Sequence, residues 1–103
     1  MLQLVRVRGG SMEPTLSDGD HIVCVRAQAA RPGFVYWLCH PRLGRIVKRV
    51  GADGRLHSDC AEGTDSGRLG GVEECHVLGR AVLAVRADGV RRLPARRPYS
   101  RRA

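Results

Sequence analysis

Lysine is nearly missing from this chain. Seventeen of its eighteen basic residues are arginine, and the exception is Lys48. Arginine keeps its proton in proteins, whereas lysine can lose one when desolvated. A lone lysine in an arginine background hints at a position that needs an amine able to become neutral; the plainer account is chance survival. Long hydrophobic runs are also absent. The longest covers 34–39, six residues, against the ~20 of a membrane-spanning helix. Met1-Leu2-Gln3-Leu4 lacks the apolar stretch of a secretory signal. A soluble, cytoplasmic protein is expected. The four cysteines, Cys24, Cys39, Cys60 and Cys75, form no C-x-x-C pair. Neither a disulfide framework nor a metal site is expected, although Cys39-His40, Cys75-His76 and His57 near Cys60 are donors that a scattered zinc site could use. Cys24 and Cys39 lie in apolar runs and read as buried thiols. Only four aromatics occur, Phe34, Tyr36, Trp37 and Tyr99, too few and too clustered for a platform that stacks nucleic-acid bases. No internal repeat is visible.

The 103 residues suit one small domain, and the net charge is +8. The excess is uneven. Residues 86–103 hold seven arginines and one aspartate, while 1–85 are close to balance. The expected organisation is a folded domain over 1–85 and a disordered arginine-rich tail over 86–103. Such a tail could touch phosphates or an anionic membrane weakly, without specific nucleic-acid recognition.

Apolar residues alternate along the chain, which predicts strands. The strand-like segments are 2–8, 21–25, 34–39, 45–50, 55–57 and 77–85. Gly9-Gly10, Asp18-Gly19-Asp20, Arg31-Pro32-Gly33, 41–44 and Asp53-Gly54 punctuate them. Residues 61–71 read as a loop, Gly79 marks a bulge, and Pro14 opens a short helical turn. The expected fold is mainly β, a small barrel or folded sheet.

Chemistry concentrates in Gly9-Gly10-Ser11-Met12-Glu13-Pro14-Thr15-Leu16. Glycines ahead of a serine permit a sharp turn that exposes the hydroxyl beside main-chain N–H groups, as acyl transfer requires. A serine that merely caps the turn at Pro14 is the plainer reading. In 45–50, period-two alternation groups Ile46, Lys48 and Val50 on one face and sends Val47 and Arg49 to the other. Desolvation among branched side chains would favour a neutral Lys48 amine, able to take the Ser11 proton. A stem packed on the strand with a solvated ammonium is the alternative. Among the histidines, His57 is the competing base.

These residues resemble a known family. Gly10 to Leu16, Asp18-Gly19-Asp20, Gly44 to Val50, Ser58-Asp59, Thr64-Asp65-Ser66 and Leu78 to Val82 look like the ordered signature of signal peptidase I, whose Ser-Lys clan includes the self-cleaving domain of LexA-type repressors. The blocks span residues 5–85. The short form is most similar to nickel-type superoxide dismutase maturation proteases. The resemblance implies a β fold and a serine endopeptidase that removes a leader from a precursor protein. Ser11 would be the nucleophile and Lys48 the general base. The Ser11 N–H would contribute to the oxyanion hole, Gly10 and Met12 would lie near the catalytic pair as oxyanion or support residues, Ser66 would support the lysine, and Asp65 would steady its loop by pairing with arginine. Gly67 stands where the family has that arginine, Gly9 where some members add a hydroxyl, and Ser58-Asp59-Cys60 where Gly-Asp-Asn is usual. Other readings are processing of exported proteins at a membrane, a non-catalytic basic binding module, and a LexA-type regulator. Only ten residues precede Ser11, so an N-terminal DNA-binding domain is not expected.

Overall fold

Each alternating segment becomes a strand in a computed structural model, which describes residues 2–60 and 66–96. In chain order the strands are β1 (Leu2–Arg6), β2 (His21–Val25), β3 (Val35–His40), β4 (Gly44–Val50), β5 (Leu56–His57), β6 (His76–Arg86) and β7 (Gly89–Arg92). A one-turn helix α1 (Ser66–Leu69) and a 3-10 turn (Val72–Glu74) lie between β5 and β6. That stretch falls partly in the expected loop. The expected helical turn at Pro14 is a set of turns with one Leu16 N–H to Met12 carbonyl bond, 2.9 Å.

All pairings are antiparallel, in the order β1-β2-β6-β3-β4-β5, with β7 also on β6. The sheet folds on itself without closing into a barrel. Strand β6 organises it. One edge pairs β2, while the other is shared by β3 at its start and β7 at its end. Two register shifts let β6 bend: Leu78 is extra against β3 and Val82 against β2. Gly79 follows the first shift. A Cβ there would meet the Val25 carbonyl oxygen at 3.0 Å and Cys24 Cβ at 3.1 Å, so only glycine lets the two backbones come this close.

Strand β3 explains why 34–39 is an unbroken apolar run. Val35 and Trp37 pack in one core cluster with Met12, Leu16, Ile22 and Ala84. Tyr36 and Leu38 pack in a second with Val50, Leu56 and Leu69. A strand covered on both faces needs apolar residues at every position. The alternation of β4 holds as well: Val47 joins the first cluster, and Ile46 and Val50 join the second.

Two expectations need correction. The tail does not begin at residue 86. Strand β7 pairs with β6, the Leu93 N–H bonds the Val82 carbonyl at 3.0 Å, and Leu93 is buried in the first cluster. The arginines of 86–96 thus belong to the folded unit, and of the expected tail 97–103 lie outside the described residues. Cys24 is buried as expected, but Cys39 is exposed. Alternation turns Cys39 outward between the buried Leu38 and His40. All four cysteines are free thiols, and among the described residues no donors cluster as a metal site. His40 is structural. Its Nδ1 accepts from Arg42 and Leu43 N–H, which leaves Nε2 to donate to the Leu69 carbonyl at 2.8 Å. No described helix is long and apolar enough to cross a membrane.

Candidate active site

Ser11 sits in the turn that leaves β1. Gly9 has φ +79°, and its N–H donates to Asp18 Oδ1 at 2.7 Å. Gly9 therefore supplies the left-handed backbone that the sequence suggested, and the Asp18 turn holds it. The Gly10 carbonyl accepts from Glu13 N–H at 3.2 Å, and the Ser11 carbonyl accepts from Cys60 N–H at 2.9 Å. Met12, only 1% exposed, anchors the turn in the core. The segment 58–60 is thereby tied directly to the serine.

Lys48 lies on β4, in register with Tyr36 on β3. It is buried, and its Nζ lies 2.6 Å from Ser11 Oγ and 3.2 Å from Ser58 Oγ. Drawn with a charged amine, Nζ donates in both contacts. With a neutral amine, the Ser11 hydroxyl donates to Nζ across the same distance. Burial lowers the Lys48 pKa from its ordinary 10.5, and the negative charge of Asp59 opposes that fall without cancelling it. An amine so placed can accept a hydroxyl proton, which an arginine could not do.

Behind the pair stands a buried ion pair that the sequence reading passed over. Arg49 Nε and Nη2 donate to Asp59 Oδ1 and Oδ2 at 2.8 and 2.7 Å. The two side chains are 1% and 0% exposed. Arg49 Nη1 also donates to the Gly33 carbonyl at 2.6 Å, and Thr15 Oγ1 donates to Asp59 Oδ2 at 2.5 Å. Burial alone would raise the Asp59 pKa; the bonds from Arg49 and Thr15 outweigh it and hold the carboxyl below 3.8. Adjacent residues of β4 thus do different work. Lys48 reaches the serine, and Arg49 fastens the loop that carries Ser58 and Asp59. The available sequence signal was an arginine directly after the one lysine, with an aspartate ten residues on.

The expected supporting residues need separate statements. Asp65 and the side chain of Ser66 lie outside the described residues; the Ser66 backbone opens α1. Among the described residues, Ser58 is the second hydroxyl on Lys48, and Asp59, next to it, is a carboxylate paired with arginine. His57 does not reach the serine; its Nε2 lies 3.2 Å from Asp53 Oδ1.

A cleft of about 390 Å³ opens over the pair. Ser11 and Lys48 line it, with Val5, Trp37 and Val47 among its apolar walls. Its two sides are β1, the first strand of the sheet, and β4, which β5 pairs only at Arg49 and Val50. Among the described residues, the outer edge of β1 and most of the outer edge of β4 carry no strand. The gap that keeps the sheet from closing is the cleft.

No curated protein matches the chain. The family described as Peptidase S24-like matches residues 2–82, which contain both Ser11 and Lys48. The chain therefore belongs to the Peptidase S24-like family, and its function is of the serine-peptidase type.

Proposed function

We propose that the protein is an endopeptidase with a Ser-Lys dyad that removes an N-terminal leader from a precursor protein. The observation that carries this reading is the 2.6 Å contact between the Lys48 amine and the Ser11 hydroxyl, made where burial lowers the amine's proton affinity. Neutral Lys48 takes the Oγ proton as Ser11 attacks the scissile carbonyl. The resulting oxyanion is met by the Ser11 N–H at the turn after Gly10. Lys48 then protonates the departing amine. Water, activated by the same amine, hydrolyses the ester and restores the hydroxyl. Ser58 Oγ holds Nζ in place through the cycle. The substrate lies extended in the cleft and adds its backbone to the free strand edges.

The resemblance to nickel superoxide dismutase maturation proteases makes that enzyme's precursor the substrate to try first. Purified protein is incubated with the precursor, and the product's new N-terminus is read by mass spectrometry. Ser11→Ala and Lys48→Arg should each lower the rate at least ~10³-fold, because members of a catalytic unit fail together. Cleavage by Lys48→Arg at near wild-type rate would overturn the dyad, since the charge is kept and the base is lost.

A further inference from the structure

The same cleft carries a charge pattern that its proposed chemistry does not require. Arg6 and Arg8 line one side and Arg45 the other, over a floor that includes Trp37. Arg6 and Arg8 are two residues apart on extended chain, so both project to one side. Arg45 lies over the Trp37 ring at 5.8 Å, which steadies its guanidinium at the opposite rim. Among the described residues, no acidic side chain lines the cleft. All three arginines are exposed, and none has an ion-pair partner among the described residues.

We infer that the cleft selects an acidic extended peptide, one that presents carboxylates to Arg6, Arg8 and Arg45 and apolar side chains to Val5, Trp37 and Val47. The inference rests on the reading of the cleft as a peptide site, but not on Ser-Lys chemistry. Shape favours a peptide over a lipid surface. The arginines rim a concavity with free main-chain edges on both sides, whereas a bilayer would need them on a protruding face. Alternation in a bound strand would send its residues in turn to the apolar floor and to the rim. Each exposed ion pair contributes a factor of roughly 1.5 to 5, so three give on the order of tenfold.

Trp37 is the chain's one tryptophan and lines the cleft, so intrinsic fluorescence reports occupancy. The full chain carrying Ser11→Ala, which leaves probes uncut, is titrated with three blocked eight-residue peptides. They alternate valine with glutamate, with glutamine or with lysine. The glutamate peptide is expected to bind about tenfold tighter than the glutamine peptide, and the lysine peptide more weakly than both. Adding Arg6→Gln, Arg8→Gln and Arg45→Gln together should erase the difference. Arg26→Gln with Arg31→Gln, exposed arginines elsewhere, should preserve it. Equal binding of the glutamate and glutamine peptides overturns the inference. So does a preference that survives the cleft triple, or one that the remote pair removes as fully, which would assign it to net charge. A response to phosphatidylglycerol vesicles without a response to any peptide would assign the arginines to a membrane instead. Cleavage that persists in Lys48→Arg defeats the dyad and leaves this binding result untouched, so the two failures can be told apart.

Discussion

Replacing Asp59 by asparagine tests how much of the fold is held from behind the serine. The carboxylate accepts two bonds from Arg49 and one from Thr15, and both members of the ion pair are almost wholly buried. The asparagine is nearly isosteric, but it removes the charge and turns an amide donor towards a guanidinium. A buried charge left without its partner costs about 3–5 kcal/mol. A domain of 103 residues is held by roughly 5–15 kcal/mol in total, so the loss is about a fifth of it or more. Urea unfolding at pH 7, followed by Trp37 fluorescence, should show the midpoint falling with little change in slope. Asp53→Asn is the comparison. Asp53 is half exposed in its pair with His57, and its replacement should cost under about 1 kcal/mol. Acid adds a second readout. Because Arg49 and Thr15 outweigh burial and hold the Asp59 carboxyl below 3.8, its contribution is complete above that value and fades as pH falls through the lower folded value. Asp59→Asn should lack that part of the acid transition. A cost no larger than that of Asp53→Asn would refute the account of the ion pair. Arg49→Met with Asp59→Leu should recover most of the loss, since a buried pair replaced by apolar residues is often neutral.

Three further outcomes follow. Leu93→Ala should destabilise by about 2–4 kcal/mol in the same urea assay, because the side chain fills the first core cluster; a change under about 0.5 kcal/mol would return β7 and its neighbours to the status of a loose tail. Gly79→Ala should cost about 1–3 kcal/mol through its contact with the Val25 carbonyl, with Gly54→Ala as a control for positive φ in open space. Labelling lysine with ¹³C at Cε gives a single side-chain NMR signal, since Lys48 is the only lysine. That signal should titrate below the ordinary 10.5 because burial lowers the pKa, and a midpoint at or above 10.5 would remove the physical basis for a neutral base.

The strands were legible because alternation and turn residues are local signals. β2 and β4 fall where Asp18-Gly19-Asp20 and 41–44 punctuate the chain, and the bulge lies beside Gly79. β7 was not legible. Gly89-Val90-Arg91-Arg92 has one apolar residue, and Val90 is itself 60% exposed. Its place comes from the free half-edge of β6, a tertiary fact that no local pattern records. Cys39 misled for a related reason: an apolar run implies cover on both faces, yet at this position only the face that carries Leu38 and His40 is covered, and Cys39 points the other way. At the site, Lys48 was visible through rarity and Ser11 through its glycines. Arg49 was hidden among seventeen arginines, and its partner Asp59 is distant in sequence, so only folding shows that one aspartate serves both Arg49 and Thr15.

The lysine proposed as the base should also leave a mark on stability, and the direction follows from its environment. Burial disfavours the charged amine, so the folded chain binds this proton less tightly than the unfolded chain does. At pH values below the folded pKa both states are protonated, and the fold bears the full cost of burying an ammonium. As pH rises from there towards 10.5, the folded state sheds the proton first and the fold gains stability. Each tenfold difference in proton affinity corresponds to about 1.4 kcal/mol. Other groups titrate in the same range. Burial pushes the Cys24 thiol up to about 11 from 9.0, so that group lowers stability as pH passes 9.0. Comparison with Lys48→Met removes this complication, because both proteins keep Cys24. The wild-type stability minus that of Lys48→Met should therefore climb between pH 7 and pH 10. A flat difference would mean that the amine is as well solvated in the folded chain as in the unfolded one. A falling difference would mean that Asp59 holds the proton more firmly than burial expels it, and an amine held that way could not serve as the base for Ser11.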